Sequence, residues 1–342
     1  MLTVFSSDHV LRSARTELYG GELVRPHESP ERAQIVLARI HAQALGEVIA
    51  PAKFGMQPVL RVHDRAFVEF LKQAWSDWVA AGNRGEAIPD CWPARRMAQH
   101  CPNSIIGKLG YYAMAAETSI SQGTWEAARA AADVALTAAS RIKDGAHAAF
   151  ALCRPPGHHA ARDLYGGYCF LNNAAIAAQY LRDGGAARVA ILDVDFHHGN
   201  GTQDIFYDRA DVLYVSLHGD PADAFPYFSG YADEIGAGAG GGFTLNLPMP
   251  PGTEFIVWQD ALRAALARIA EFRADALVVS LGVDTFVADP ISFFRLQSAD
   301  FSTYGRMIRD CGLPTLFVLE GGYAVGEIGV NVVNVLSGFE QA

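Results

Sequence analysis

Several features that would define a protein class are missing from this 342-residue sequence. Basic residues are fewer than acidic residues: the sequence has 27 Lys and Arg and 37 Asp and Glu, which gives a formal net charge of −10. A general nucleic-acid binder needs the opposite sign to displace counterions from phosphate, so no nucleic-acid partner is expected. No run approaches the roughly 18 apolar residues of a membrane span, and the first residues do not resemble a signal peptide. We therefore expect no membrane association.

Cysteine is also scarce. The five cysteines are odd in number and include no Cys-x-x-Cys spacing, which argues against a disulfide framework or a zinc knuckle. They are typical of reduced thiols, and we expect a cytoplasmic protein. Because 50% of the residues are hydrophobic and 19% are charged, the chain has the composition of a globular protein with a large core.

Five short apolar runs recur at wide spacing and predict buried strands. Such runs suit a parallel sheet that is covered on both faces. They span residues 148–152, 189–192, 212–217, 276–281 and 315–319. Amphipathic segments between the runs predict helices over residues 30–44, 125–143 (with Thr124 as the capping residue), 173–183, 254–272 and 301–310. The alternation predicts one α/β layer sandwich over residues 1–342.

Residues suited to catalysis follow the predicted strands. In an open parallel sheet, ligands bind beyond the carboxyl ends of the strands, which lie at one edge. The segments at that edge read Arg-Pro-Pro-Gly-His158-His159, Asp193-Val-Asp195-Phe-His197-His198-Gly-Asn200, Leu-His218-Gly, Gly282-Val-Asp284 and Glu320-Gly-Gly-Tyr323.

The strongest of these signals is Asp193-x-Asp195-x-His197. Every second side chain of an extended segment points the same way, so these groups can converge. Asp195, His197 and Asp284 would give three ligands and an open position, which is the arrangement of a catalytic zinc. One imidazole and two carboxylates also suit Fe²⁺, Co²⁺ or Mn²⁺, so the residues predict a divalent-metal site without choosing the ion.

Groups for proton transfer and for charge stabilisation lie in two other segments. His158 and His159 follow two prolines and a glycine and supply two candidate acid–base groups near neutral pH. Tyr323 follows Gly-Gly, which allows a sharp turn that leaves the phenol projecting. A phenol opposite a metal could donate to a tetrahedral oxyanion.

These five segments, in this order, resemble the zinc-dependent histone deacetylase superfamily, from about residue 59 to the carboxyl terminus. Within it, the chain is most similar to the bacterial acetylpolyamine amidohydrolases. That narrower resemblance rests on Arg15-Thr-Glu17-Leu-Tyr-Gly-Gly-Glu22, on Tyr111-Tyr112 with Glu117, and on Asp220-Pro-x-x-Ala-Phe225-Pro.

The resemblance implies an arginase–deacetylase-type three-layer α/β sandwich with a central, mostly parallel sheet. It implies one zinc ion per subunit on Asp195, His197 and Asp284, with Fe²⁺ or Co²⁺ as possible substitutes. It further implies His158 and His159 as the catalytic pair, oriented by Asp193 and Asn200 respectively, and Tyr323 as the donor to the acyl oxygen. A structural potassium ion is implied at Asp193, Asp195, His197, Ser216 and Leu217.

Substrate contacts and assembly also follow from the resemblance. Tyr168, Phe225 and Gly167 would line the channel to the metal, and Glu117 first, then Glu17, would meet a distal ammonium. A homodimer would form through loop insertions near residues 12–27 and 82–104.

The expected reaction is metal-assisted hydrolysis of N-acetylated polyamines or diamines to acetate and a free amine. In this reaction His159 is the base, because its neutral amide partner does not raise its pKa by charge attraction as a carboxylate would. Residues 102–107 lack the acidic residue that relatives can carry, which favours short substrates of the acetylputrescine or acetylcadaverine type.

Three alternatives remain from the sequence. The first is an acetyl-lysine protein deacetylase with the same chemistry. The second is a non-catalytic acyl-amine binder, which the complete set of catalytic residues disfavours. The third is a binuclear ureohydrolase, which is disfavoured because glycines 199 and 282 stand where the carboxylates for a second metal are expected.

Overall fold

Ten strands form two sheets in the computed structural model, which describes residues 1–341. The strands are β1 (Leu2–Phe5), β2 (Glu17–Tyr19), β3 (Glu22–Val24), β4 (Val48–Ile49), β5 (Ala148–Leu152), β6 (Val189–Asp193), β7 (Val212–Gly219), β8 (Thr244–Met249), β9 (Ala276–Leu281) and β10 (Thr315–Leu319). Eight of them form the central sheet in the order β4-β1-β5-β10-β9-β6-β7-β8, and β2 pairs with β3 in a separate hairpin. Every pairing in the central sheet is parallel.

Helices cover both faces of the central sheet. They are α1 (Pro30–Ala42), α2 (Gln57–Leu60), α3 (Arg65–Ala80), α4 (Ile105–Tyr112), α5 (Thr124–Lys143), α6 (Asn173–Asp183), α7 (Asn200–Phe206), α8 (Phe255–Phe272), α9 (Ser298–Arg309) and α10 (Ile328–Glu340). Successive strand residues face opposite layers, so Ala151 packs in a core with α3 to α6 while Phe150 packs in a second core with α1 and α8 to α10. The predicted three-layer α/β sandwich is confirmed.

The five predicted strands are present, and three predicted helices begin at other residues: α5 and α8 differ by one residue and α9 by three. Thr124 does not cap α5, because Gly123 takes the capping position with a φ of 83° and Thr124 is the first helical residue. α9 begins at Ser298 instead of residue 301, because Gln297 and Asp300 form a reciprocal capping box. The sequence does not predict strands β1, β2, β3, β4 and β8; the first four are only two to four residues long, and β8 lies at an edge of the central sheet.

The two predicted insertions lie next to one another. The segment 12–27 contains the β2–β3 hairpin. The segment 82–104 is irregular, and its Glu86 accepts hydrogen bonds from the backbone N–H groups of Arg15 (2.8 Å) and Thr16 (3.2 Å). No helix within residues 1–341 combines the length and the apolar character that a membrane crossing requires.

Candidate active site

The candidate catalytic residues meet at the carboxyl edge of the central sheet. Asp193 is the last residue of β6, and Asp195 and His197 lie directly beyond it. Asp284 follows β9 and Tyr323 follows β10, and both of those strands are close to β6 because the order there is β10-β9-β6. The topology therefore brings distant segments of the chain to one place.

Asp195, His197 and Asp284 form a buried triad whose ligand atoms all lie within 4.8 Å of one another. Nδ1 of His197 is 2.9 Å from Oδ2 of Asp284 and 3.3 Å from Oδ1 of Asp195. Backbone N–H groups orient both carboxylates, with Phe196 donating to Asp284 (2.8 Å) and Gly321 donating to Asp195 (2.8 Å).

The chemistry of this triad fits a divalent cation. Burial and the nearby charge of Asp195 raise the pKa of Asp284 to about 8, which reflects two carboxylates held together away from water. Burial disfavours protonation of His197, but hydrogen bonds to Asp195 and Asp284 outweigh it and raise its pKa to about 10. A divalent ion would neutralise both carboxylates, and one nitrogen with two oxygen donors suits zinc and similar ions.

Glycines around the triad leave no room for further carboxylates. A Cβ on Gly282 would overlap the Asp195 carboxylate, and one on Gly321 would lie 2.6 Å from Oδ2 of both Asp195 and Asp284. Likewise, a Cβ on Gly199 would overlap the carboxylate of Asp193. This crowding disfavours a binuclear centre.

The tandem histidines have different partners and opposite pKa shifts. Nδ1 of His158 lies 3.0 Å from Oδ2 of Asp193, whereas Nδ1 of His159 lies 2.7 Å from Oδ1 of Asn200. Burial disfavours the cation of His158, but the charges of Asp195 and Asp193 raise its pKa to about 10. Burial, together with charge on His158 and His197, lowers the pKa of His159 well below its usual value.

The protonation state of His159 follows from its hydrogen bond. Because the Asn200 oxygen can only accept, the proton is assigned to Nδ1 and leaves Nε2 free. His159 lines the cavity described below. The free nitrogen therefore belongs to a neutral imidazole beside that cavity.

Tyr323 lies in the turn after β10, and contacts with two other segments hold this turn. Its backbone N–H donates to Oδ2 of Asp289 (2.7 Å), and the guanidinium carbon of Arg32 lies 4.7 Å from its ring centroid. Burial raises the pKa of the phenol well above its usual value, although Arg32 opposes this shift. Tyr323 is thus a neutral hydrogen-bond donor.

An aromatic passage leads outward from these groups. Tyr168 packs edge-to-face on Tyr323 with ring centroids 5.6 Å apart, and Phe225 packs in the same way on His159 at 5.1 Å. Gly167 has a φ of 56°, and a Cβ there would overlap the His159 ring, so glycine is required for both reasons.

The two predicted glutamates line the same space as these aromatic rings, and hydrogen bonds hold both of them. Both oxygens of Glu17 accept hydrogen bonds, from the Tyr168 hydroxyl (2.6 Å) and the His27 N–H (3.1 Å), and the residue is only 2% exposed. Burial raises the pKa of Glu17 despite these bonds. Glu117 is half-buried, and its Oε1 accepts from the N–H of Gly167 (2.7 Å).

One cavity of about 480 Å³ joins these groups. Its walls include His159, His197, Tyr323, Tyr168 and Phe225, with Glu17, Glu117 and Asp223 as acidic residues. The cavity can hold a small elongated molecule with its reacting end at the triad and a cationic group near the carboxylates.

The residues expected at a potassium ion are also adjacent. Asp193 of β6 pairs in register with Ser216 of β7, and Leu217 is next along that strand. Asp193, Ser216 and Leu217 are completely buried, and the Ser216 hydroxyl lies 2.8 Å from Nδ1 of His218.

The sequence assigns no role to several groups that support the site. These are Glu28, Arg32, Asp289 and Asp223, together with the side chain of Glu320. Asp223, an exposed residue of the loop before Phe225, was missed because a loop aspartate carries no motif. Glu28 and Arg32 have the spacing of a helical ion pair, which was their only signal.

Comparisons with known proteins agree with this geometry. Residues 26–339 match the histone deacetylase domain family. The chain is 59% identical over 338 residues to the acetylpolyamine amidohydrolase of Mycoplana ramosa, and 57% identical over 340 residues to acetylpolyamine amidohydrolase 2 of Pseudomonas aeruginosa, with 99% of each chain covered in both cases. The crystal structure of acetylpolyamine aminohydrolase from Burkholderia pseudomallei superposes with a TM-score of 0.95 at 41% identity, covering 99% of this chain and 98% of that one.

Proposed function

The chain belongs to the histone deacetylase domain family, and from that membership we propose that it hydrolyses the amide bond of N-acetylated polyamines or diamines. The products are acetate and a free amine. The observation that carries the proposal is the single cavity in which the metal-binding His197, the neutral His159 and the Tyr323 phenol face the same space.

Asp195, His197 and Asp284 would hold one zinc ion per subunit, and Fe²⁺ or Co²⁺ could replace it. When bound, the ion supplies a Lewis acid that polarises the acetyl carbonyl and increases the acidity of water. The crowding at Gly199 and Gly282 supports one ion instead of two.

His159 acts as the general base. Its free Nε2 accepts a proton from the attacking water while Nδ1 remains bound to Asn200. The water oxygen forms a bond to the acetyl carbon, and the C–N bond breaks as His159 returns the proton to the amine nitrogen. The cavity lining supports this assignment, since it includes His159 and not His158.

Tyr323 and His158 stabilise charge during the reaction. The Tyr323 hydroxyl donates to the oxygen that becomes negative in the tetrahedral state. His158 is hydrogen-bonded to the carboxylate of Asp193 (3.0 Å), which favours its protonated form over that of His159.

The substrate lies along the aromatic passage. Tyr168 and Phe225 flank its methylene chain, and Gly167 allows the close approach of this wall to His159. Glu117 and Asp223 are the better-placed partners for a distal ammonium, because both Glu17 oxygens already accept hydrogen bonds within the chain. Short acetyl-diamines are the preferred class.

Three further properties complete the proposal. A potassium ion binds at the loop formed by Asp193, Asp195 and His197 and at the strand residues Ser216 and Leu217. The enzyme is a homodimer through the segments 12–27 and 82–104, which is supported by the exposure of Leu23 (63%) and Met97 (62%) there. It works in the cytoplasm, which agrees with five free cysteines.

A rate panel tests the proposal. The zinc-loaded enzyme is assayed with N-acetylputrescine, N-acetylcadaverine, acetylated spermidine and spermine, and an acetyl-lysine peptide, by measuring acetate release. We expect the highest kcat/KM with the two acetyl-diamines. A higher value for the peptide would instead support the acetyl-lysine deacetylase alternative, and no turnover with any amide would support a binding protein.

A further inference from the structure

We propose that Glu320 is a positioning residue that fixes the tandem histidines and Tyr323 relative to each other. This inference rests on the proposed function, because it concerns the geometry of the groups that carry out the hydrolysis. Glu320 makes no hydrogen bond to the triad and does not line the cavity. It also transfers no proton in the proposed mechanism.

The side chain of Glu320 holds the turn Gly157–His159, called here the histidine turn. It is completely buried, and its Oε2 accepts hydrogen bonds from the backbone N–H groups of Gly157 (2.6 Å) and His158 (3.1 Å). Its Oε1 accepts from the Ser280 hydroxyl at 3.3 Å. The turn that presents both imidazoles is therefore tied to the end of β10.

The main chain at Glu320 begins the turn Glu320–Tyr323, called here the tyrosine turn. Arg32 donates from Nη2 to the carbonyl of Glu320 (2.6 Å) and from Nε to the carbonyl of Gly322 (2.6 Å), while its guanidinium packs on the Tyr323 ring. Glu320 thus joins the two turns directly, with its side chain on one and its backbone in the other.

A second, parallel connection shows that the two turns are locked together. Glu28 lies between two buried arginines, with Oε1 3.1 Å from Nη1 of Arg32 and 2.8 Å from Nε of Arg154. Arg154 precedes the histidine turn. The Glu28 connection is ionic, whereas that of Glu320 is made to backbone amides and sets the position of the turn itself.

The acceptor oxygen of Glu320, not its charge, is what the geometry requires. Both amides donate to the same oxygen, so the amide oxygen of glutamine can accept both bonds, and its NH₂ group can donate to the Ser280 hydroxyl.

Two variants and one control test the inference. Glu320→Gln keeps the acceptor and Glu320→Ala removes it. Asp133→Ala is the matched control, because Asp133 is also a buried carboxylate (2% exposed) that accepts a backbone N–H, from Phe54 at 3.1 Å, and it does not line the cavity.

Steady-state rates of the zinc-loaded forms with N-acetylputrescine give the first readout. Misplacement of reacting groups by about 1 Å costs on the order of 100-fold, so we expect Glu320→Ala to lose about that factor in kcat per folded enzyme, with KM within about threefold. We expect Glu320→Gln to stay within about fivefold of the wild-type kcat, and Asp133→Ala to lose stability without loss of kcat.

Hydrogen exchange of the metal-free forms gives a readout that does not depend on activity. Pro155 and Pro156 have no amide proton, so a peptide over residues 153–161 reports the amides of Gly157 and His158 with few others. We expect faster exchange of this peptide in Glu320→Ala, and wild-type exchange in Glu320→Gln and Asp133→Ala.

Three results would overturn the inference: unchanged exchange in Glu320→Ala, an unchanged kcat in Glu320→Ala, or a Glu320→Gln variant as impaired as Glu320→Ala. An inactive wild type would instead refute the proposed function, and the exchange data alone would then decide whether Glu320 holds the turn.

Discussion

The hydroxyl of Tyr168 donates a 2.6 Å hydrogen bond to the buried carboxylate of Glu17. Tyr168 has a positive φ of 66°, so its backbone is held in an unfavourable region while its side chain is anchored at the far end. The hairpin strand β2, which begins at Glu17, therefore fixes the aromatic wall of the cavity.

Tyr168→Phe should leave the Glu17 carboxylate buried with one donor fewer. We expect a loss of about 1–3 kcal/mol in the free energy of unfolding, measured by urea denaturation, because an unsatisfied buried acceptor bears its desolvation cost. Glu17→Gln in the same background should recover part of this loss. If the two substitutions changed the free energy of unfolding additively, the hydrogen bond between Tyr168 and Glu17 would not contribute to stability.

Asp223→Asn should weaken the binding of charged substrates selectively. Exposed ion pairs contribute about 0.2–1 kcal/mol, so we expect KM for N-acetylputrescine to rise by about 1.5- to fivefold, and KM for uncharged N-acetylbutylamine to stay constant. Asp208→Asn, an equal charge change outside the cavity lining, is the control. An equal rise in KM for both amides would remove Asp223 from ammonium recognition.

Gly167→Ala should abolish most activity. Its φ of 56° disfavours a side chain, and an added Cβ would overlap the His159 ring, so the substitution must displace His159. Gly312→Ala is the matched control, since Gly312 has a φ of 66° and no atom lies within 4 Å of the place that an added methyl group would occupy. We expect a loss of order 100-fold in kcat for Gly167→Ala only. Equal kcat values for the two variants would show that the contact with His159 is unimportant.

His63 should make stability depend on pH below neutrality. Its Nδ1 lies 2.8 Å from the Ala161 carbonyl and its Nε2 accepts from the N–H of Asn172 (2.9 Å), so the neutral ring is fully bonded. Burial lowers its pKa from 6.5 to about 4, and the hydrogen bond with Ala161 only partly opposes this. The unfolded chain therefore binds the proton more tightly than the folded chain does. The stabilisation that this pKa difference gives to the fold is fully present above pH 6.5 and decreases as the pH falls towards 4.

The comparison is between wild type and His63→Gln in urea titrations at pH 7.5 and pH 5. From the two pKa values we expect the wild type to lose about 2 kcal/mol more than the variant over this interval. Parallel losses in the two proteins would contradict a neutral, buried His63.

The family, the fold class and the enzyme class predicted from the sequence are confirmed. They could be predicted because each short motif, such as the one from Asp193 to Asn200, directly follows a buried strand, and parallel strands bring their carboxyl ends to one edge. The catalytic roles of these residues remain predictions that the proposed variants test.

The supporting contacts could not be predicted in the same way. Glu28 meets Arg154, and Glu320 meets the His158 amide, across more than a hundred residues of chain. An isolated glutamate in a sequence is usually a solvated charge, and only the folded chain brings Glu28 to Arg154 and Glu320 to the backbone of Gly157 and His158. The hairpin at Glu17 is short, and its burial depends on contacts with Tyr168.

Metal titration of the metal-free enzyme tests the central claim most directly. Zinc bound per chain, measured by elemental analysis after dialysis, is followed beside acetate release from N-acetylputrescine, for wild type and for Asp284→Ala. We predict one tightly bound ion per wild-type chain, with activity that rises in proportion to it, and loss of both in the variant. Two ions per chain, or equal activity with and without metal, would contradict the account.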